Sequence, residues 1–167
     1  MIEATNIILN NTEIAQKIRR IAYQIYEVNY KENEIIIAGI ADNGFFLAEK
    51  IVAILQEISD ITITLCKVSI NKKQPLEAIT TDLPPADYTE KSVVLVDDVL
   101  HSGTTLIYAI KHFLDVPLKK FKTAVLVNRN HKKYPVKADF KGISLSTSIK
   151  EHVVVEFSNN EIIAYLK

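Results

Sequence analysis

Three nearly unbroken apolar runs set the limits on this fold: IIIAGI (35–40), SVVLV (92–96) and KTAVLVN (122–128). A strand that faces water on one side alternates apolar and polar residues, whereas one covered on both sides does not. These runs do not alternate, so they predict strands buried on both faces, and such a sheet needs helices above and below it. The intervening segments supply them. Ile14, Ile18, Ile21, Ile25 and Val28 fall on one helical stripe, with Thr12 placed to cap its start. FFLAEKIVAILQEI puts Leu47, Ile51, Ile54, Leu55 and Ile58 on a second stripe, and Leu106, Ile110, Phe113 and Leu114 form a third. ITITLCKVSI (61–70) and HVVVEF (152–157) read as further strands, and EIIAYL as a short last one. The expected architecture is an α/β fold with a mostly parallel central sheet flanked by helices, in a single domain over residues 1–167.

Charge and cysteine content narrow the setting. Twenty Lys and Arg balance twenty Asp and Glu, so there is no general attraction to nucleic acid or anionic membrane. One cysteine, Cys66, allows no internal disulfide and fits a reducing compartment. The start MIEATNIILNN lacks the basic-then-apolar pattern of a secretion signal, and no run nears the roughly 18 apolar residues of a membrane span. A cytoplasmic protein without a membrane partner is expected.

In open α/β sheets ligands sit beyond the carboxyl ends of the strands. Three polar segments fall there: ADNG after 35–40, DDVLHSGTT after Val96, and NRNH after 122–128. The middle one is the most telling. Asp97 and Asp98 are adjacent acids that repel each other unless something bridges them. Gly103 permits a tight turn, while Ser102, Thr104, Thr105 and the N–H groups of the following helix suit a phosphate. The segment lacks the GK[ST] ending of a Walker loop. Paired acids beside a phosphate cradle fit a ribose 5-phosphate, its vicinal hydroxyls on the aspartates. Other arrangements fit poorly. The histidines at 101, 112, 131 and 152 form no close ligand pair for zinc, and His101 and Ser102 are chain neighbours rather than a base and a nucleophile. Cys66, inside an apolar strand, reads as a buried hydrophobe.

VVLVDDVLHSGTT (93–105) resembles the phosphoribosyl-pyrophosphate (PRPP) motif of type I phosphoribosyltransferases. AVLVNRNHKKYPVKADFKGISLSTSIKEHVVVEF (124–157) is similar to the C-terminal part of the bifunctional pyrimidine operon attenuator/uracil phosphoribosyltransferase proteins. GIADNGFFLAEKI (39–51) stands where that subfamily has its pyrophosphate loop. The resemblance implies a Rossmann-like fold with a small base-covering hood. It also implies transfer of phosphoribosyl from PRPP to a nucleobase, a pyrimidine such as uracil ahead of a purine, with release of pyrophosphate. By position, Asp97 and Asp98 would hold the ribose hydroxyls, and His101, Ser102, Gly103, Thr104 and Thr105 would surround the 5-phosphate. Ala41, Asp42, Asn43 and Gly44 would face pyrophosphate, and magnesium would be held mainly through PRPP, with no protein metal site.

Within that frame some roles stay open. His101 would either handle a proton on the base or donate to phosphate or backbone. Arg129 would contact the ligand or brace its loop, and Phe140 would stack on a base or pack in the core. Asp139 fits a surface turn better than magnesium. The segment 71–91 reads as a structureless lid carrying Lys72 and Lys73. ADNG, where the subfamily has lysine and arginine, weakens the attraction for the leaving group, so the alternative function is a nucleotide- or PRPP-sensing regulator of the RNA-binding attenuator type. RNA would meet Arg129, His131, Lys132, Lys133 and Lys137, with Lys17, Arg19 and Arg20 adding charge on the first helix. A solvated charged loop explains that cluster more simply. A homodimer is expected from the family.

Overall fold

The computed structural model of the protein describes residues 6–146, 148 and 150–167. Residues 1–5, within the segment read for a secretion signal, and residues 147 and 149, within the stretch 124–157, lie outside the described residues. The chain runs β1 (Ile7–Leu9), α1 (Asn11–Asn29), β2 (Glu34–Ile40), α2 (Asn43–Ile58), β3 (Thr62–Ser69) and β4 (Thr80–Thr81). It continues through α3 (Pro85–Tyr88), β5 (Ser92–Leu100), α4 (Thr104–Phe113), β6 (Lys120–Arg129), β7 (Phe140–Leu145), β8 (Val153–Ser158) and β9 (Glu161–Leu166).

The main sheet has the order β4-β3-β2-β5-β6-β7, parallel throughout except for the antiparallel β3–β4 pair. Both of its faces are covered, as the unbroken apolar runs require. Ile35, Ile37, Val94, Val96, Ala124 and Leu126 join the inner stripes of α1 and α2 in one core, while their alternates Ile36, Ala38, Val93, Leu95 and Val125 pack with α4 in the other. A second sheet, β1-β9-β8, is wholly antiparallel and adds Leu9, Val153, Val155, Ile162 and Ala164 to the α1/α2 core. It is the structural counterpart of the expected hood. Among the described residues no helix is long and apolar enough to cross a membrane.

The structure corrects several details. Asn10, not Thr12, caps α1: its side chain accepts the Glu13 N–H while the Glu13 carboxylate accepts the Asn10 N–H. Asn29 turns inward in place of Val28, donating to the Ile25 carbonyl and accepting the Ser92 hydroxyl. Leu114 lies just past the end of α4 and is 59% exposed. The strand through 92–96 extends to Leu100, so the acid pair lies on β5 rather than in a loop after it. HVVVEF belongs to the separate antiparallel sheet, and neither β1 nor β7 is anticipated from local pattern. Nor is 71–91 structureless: Thr80–Thr81 pair with β3, and α3 buries Tyr88 against Phe113 with ring centroids 4.9 Å apart. Only its first part stays a loop.

Candidate active site

At the carboxyl end of β5 the two aspartates part ways. Asp97 stays in the sheet opposite Val125 and is 4% exposed; Asp98 is half-buried. Their carboxylates fold back on the backbone, Asp97 Oδ1 accepting the Asp98 N–H and Asp98 Oδ1 the Val99 N–H, each at 2.9 Å. Two side chains from elsewhere separate the charges. Lys72 Nζ lies 3.6 Å from Asp97 Oδ1, and the Asn43 amide donates to Asp98 Oδ2 at 3.0 Å. Burial pushes the Asp97 carboxyl above its ordinary range, the Asp98 charge adds to that, and Lys72 opposes it.

Beyond Leu100 the backbone bends through His101–Gly103 into α4. Gly103 sits at φ +86°, the left-handed region, and a Cβ there would come 2.5 Å from Val136 Cγ2. The bend is pinned from outside by the Lys133 and Tyr134 N–H groups, both donating to the Ser102 carbonyl. Inside it, the Ser102 and Thr104 hydroxyls are 2.8 Å apart at the start of α4. The result is a cleft of about 240 Å³ lined by Lys72 and by every residue from Asp97 to Leu106. Acid pair, hydroxyls and a helix N-terminus thus face one space.

The ADNG segment joins this cleft through one residue. Ala41 and Asp42 form the turn after β2, across a cis peptide, and Asn43 opens α2. Besides Asp98, the Asn43 amide reaches the Val155 carbonyl of β8 at 2.9 Å, tying the two sheets together. Gly44 lets α2 press against β5: a Cβ there would lie 2.7 Å from the Val96 carbonyl oxygen and 2.9 Å from Asp97 Cα.

A second cavity, about 430 Å³, shares His101 and Ser102 with the cleft and is otherwise walled by Arg129, His131, Lys132, Lys133 and His152. Arg129 is 7% exposed, with Nη2 on the Ser148 carbonyl at 3.0 Å and Nη1 at 3.2 Å from His101 Nδ1. A guanidinium can only donate, so Nδ1 must accept and a neutral His101 carries its proton on Nε2. Burial holds the His101 pKa below its ordinary value, and the Arg129 charge lowers it further.

These positions correct one expectation. Phe140 does not reach the cavity: at 7% exposure it belongs to the α1/α2 core, where its place at the start of β7, opposite Ala124, puts it. In the basic cluster His131, Lys133 and Lys137 are exposed. Arg129 is buried, Lys137 pairs with Asp139 at 3.9 Å, and Arg19 pairs with Glu57 at 3.4 Å. Arg20 donates to the Lys141 and Gly142 carbonyls of β7. Asp139 itself accepts the Thr123 N–H, a local brace. Sequence reasoning missed His152 as a site residue. It lies just ahead of β8, where its backbone pairs with Lys167, a juxtaposition without local signature. Burial pushes the Cys66 thiol up to about 12, which suits a packed hydrophobe.

Among the described residues no three His, Cys, Asp or Glu gather as a metal site. The acid pair instead fits a hard cation held by one or two carboxylates and completed by substrate oxygens.

A family model described as the phosphoribosyl transferase domain matches residues 4–160. The bifunctional protein PyrR of Streptococcus agalactiae is 31% identical over 158 residues, covering 92% of this chain and 91% of that protein. The bifunctional protein PyrR of Bacillus velezensis is 34% identical over 163 residues, covering 91% and 90%. Among solved structures, a hypoxanthine-guanine phosphoribosyltransferase of Bacillus anthracis superposes with a TM-score of 0.78 at 20% identity, covering 99% of each chain, a likeness of fold.

Proposed function

The chain belongs to the phosphoribosyl transferase domain family, a PRPP-dependent glycosyltransferase by that membership, and from this premise we propose how its own residues serve the transfer and which base receives it. The observation that carries the reading is the single cleft in which the acid pair of β5 meets the Ser102–Thr105 bend. Asp97 and Asp98 accept the ribose hydroxyls, exchanging Lys72 and Asn43 for the sugar. Ser102, Thr104, Thr105 and the first N–H groups of α4 hold the 5-phosphate, with Gly103 allowing the close approach. Ala41, Asp42, Asn43 and Gly44 face the pyrophosphate. As the C1–oxygen bond breaks, positive charge grows on the ribose ring, and catalysis rests on orientation and on the fixed charges around that ring. His101 serves as a donor through Nε2–H, since Arg129 occupies its other nitrogen.

Magnesium would be held mainly through PRPP oxygens, with Asp97 and Asp98 beside it, and would offset the charge of the leaving pyrophosphate. The acceptor is a pyrimidine ahead of a purine, by similarity to the PyrR proteins. The unit spans residues 1–167 and works as a cytoplasmic homodimer, a setting that suits the buried, reduced Cys66. The regulator reading keeps one specific support: Asp42 and Asn43 give the pyrophosphate loop no cation of its own.

Calorimetric titration with PRPP and magnesium tests the reading, using native protein and Asp98→Asn, with ribose 5-phosphate as second ligand. The expected result is PRPP binding tighter than ribose 5-phosphate, weakened by the substitution. Binding of ribose 5-phosphate or a nucleotide alone would move the regulator ahead, and binding of neither would overturn the site.

A further inference from the structure

The segment that faces pyrophosphate, ADNG at 41–44, carries no lysine or arginine and exposes Asp42. A diphosphate bears more negative charge than one divalent cation offsets, so a further positive group belongs beside it. A neighbouring strand brings one. In the parallel β2–β3 pair Gly39 lies opposite Lys67 and Ile40 opposite Val68, and the Ala41 N–H donates to the Val68 carbonyl at 2.8 Å. The turn after β2 therefore starts level with the end of β3. Cys66 and Val68 pack in the α4 core, so Lys67 between them points to the α2 side of the sheet. There its Nζ lies 5.4 Å from the centre of the Phe45 ring, in the first turn of α2. Gly39 lets that turn come close, since a Cβ on it would lie 2.5 Å from Phe45 Cα.

Lys67 is exposed, and among the described residues its ammonium makes no ion pair. The nearby Asp82 carboxylate accepts the Lys67 backbone N–H instead, at 2.8 Å. An exposed cation on a ring face is held weakly beside a charge-assisted hydrogen bond to phosphate. Lys72, the other lysine at the cleft, faces Asp97 at 3.6 Å and so stands at the ribose end.

We propose that Lys67 is the cation of the pyrophosphate site. Its ammonium leaves the Phe45 ring and donates to the diphosphate of PRPP, next to the N–H groups at the start of α2. The inference rests on the transferase reading and adds to it a binding residue from outside the 41–44 segment. It also answers the observation that favours the regulator, because the charge missing from the loop comes from the adjoining strand.

Calorimetry with PRPP, pyrophosphate and ribose 5-phosphate, each with magnesium, tests this on native protein and on Lys67→Met. That substitution keeps an apolar stem against Phe45 and drops the charge. It is expected to weaken PRPP and pyrophosphate by about fivefold or more and to leave ribose 5-phosphate within about twofold. Lys67→Arg should keep PRPP affinity. Asp42→Lys added to Lys67→Met should recover it, the charge having moved into the turn. Ribose 5-phosphate binding confirms the fold of each variant. Equal loss of all three ligands, no loss of PRPP, or a loss that neither Lys67→Arg nor the relocated lysine repairs overturns the role of Lys67 and leaves the transferase reading standing. Native protein that holds PRPP no more tightly than ribose 5-phosphate overturns both.

Discussion

Asp97 occupies a place that favours the neutral acid. Its carboxyl is raised by burial and by Asp98, so the folded chain holds a proton that the unfolded chain releases at ordinary carboxyl values. This group's contribution to stability is therefore fully present below about pH 4 and fades as pH rises through the elevated folded value. Asp97→Asn should remove that dependence and raise the melting temperature of the ligand-free protein near neutral pH, while weakening PRPP binding by about tenfold or more. Paired melting curves across pH, with a binding titration, check both halves. A variant that is both less stable and unimpaired in binding contradicts the account. His101 carries the opposite shift. Arg129→Met removes the nearby cation, so the imidazole should titrate at higher pH, as seen by NMR of its ring protons.

The elements are held to the site by close approaches more than by large contacts. Gly44 is where α2 meets β5, and Gly44→Ala should cost roughly 1–3 kcal/mol in chemical denaturation and displace Asp97, reducing PRPP affinity as well. The start of 71–91 should be cut by trypsin at Lys72 or Lys73, whereas Lys91, beyond the buried Tyr88, should resist. Mass spectrometry of brief digests separates these sites. The central strands and long helices were legible because burial on both faces and helical periodicity are local patterns. β7 was not, since Lys141 and Gly142 break its apolar run, and β1 has only three residues. α3 was hidden because its stability comes from Tyr88 packing on Phe113, a partner in another element. The acid pair and the small-residue bend after it could be read directly from residue order. The partners Lys72, Asn43 and Arg129 gained their contacts only from the fold, and Phe140 was ambiguous because an aromatic beside a strand serves core and ligand alike.

For the whole molecule, two sheets share one core, and the smaller one unites the first and last described strands. Ile162, on β9, belongs to that common core. Ile162→Ala should cost about 2–5 kcal/mol and lower the whole unfolding transition, with no early separate melting of the small sheet. Calorimetric and spectroscopic unfolding curves that diverge would show instead that the sheets melt apart.

The guanidinium of Arg20 has a role beyond fastening a helix. β7 is an edge of the main sheet, and an open edge offers its backbone groups to any passing chain. By holding the carbonyls of Lys141 and Gly142, Arg20 occupies acceptors that an invading strand would use, while the opposite edge is blunted by a strand of two residues. Part of the α1 charge that resembled a nucleic-acid contact is thus engaged, through Arg20, by the backbone of that edge strand.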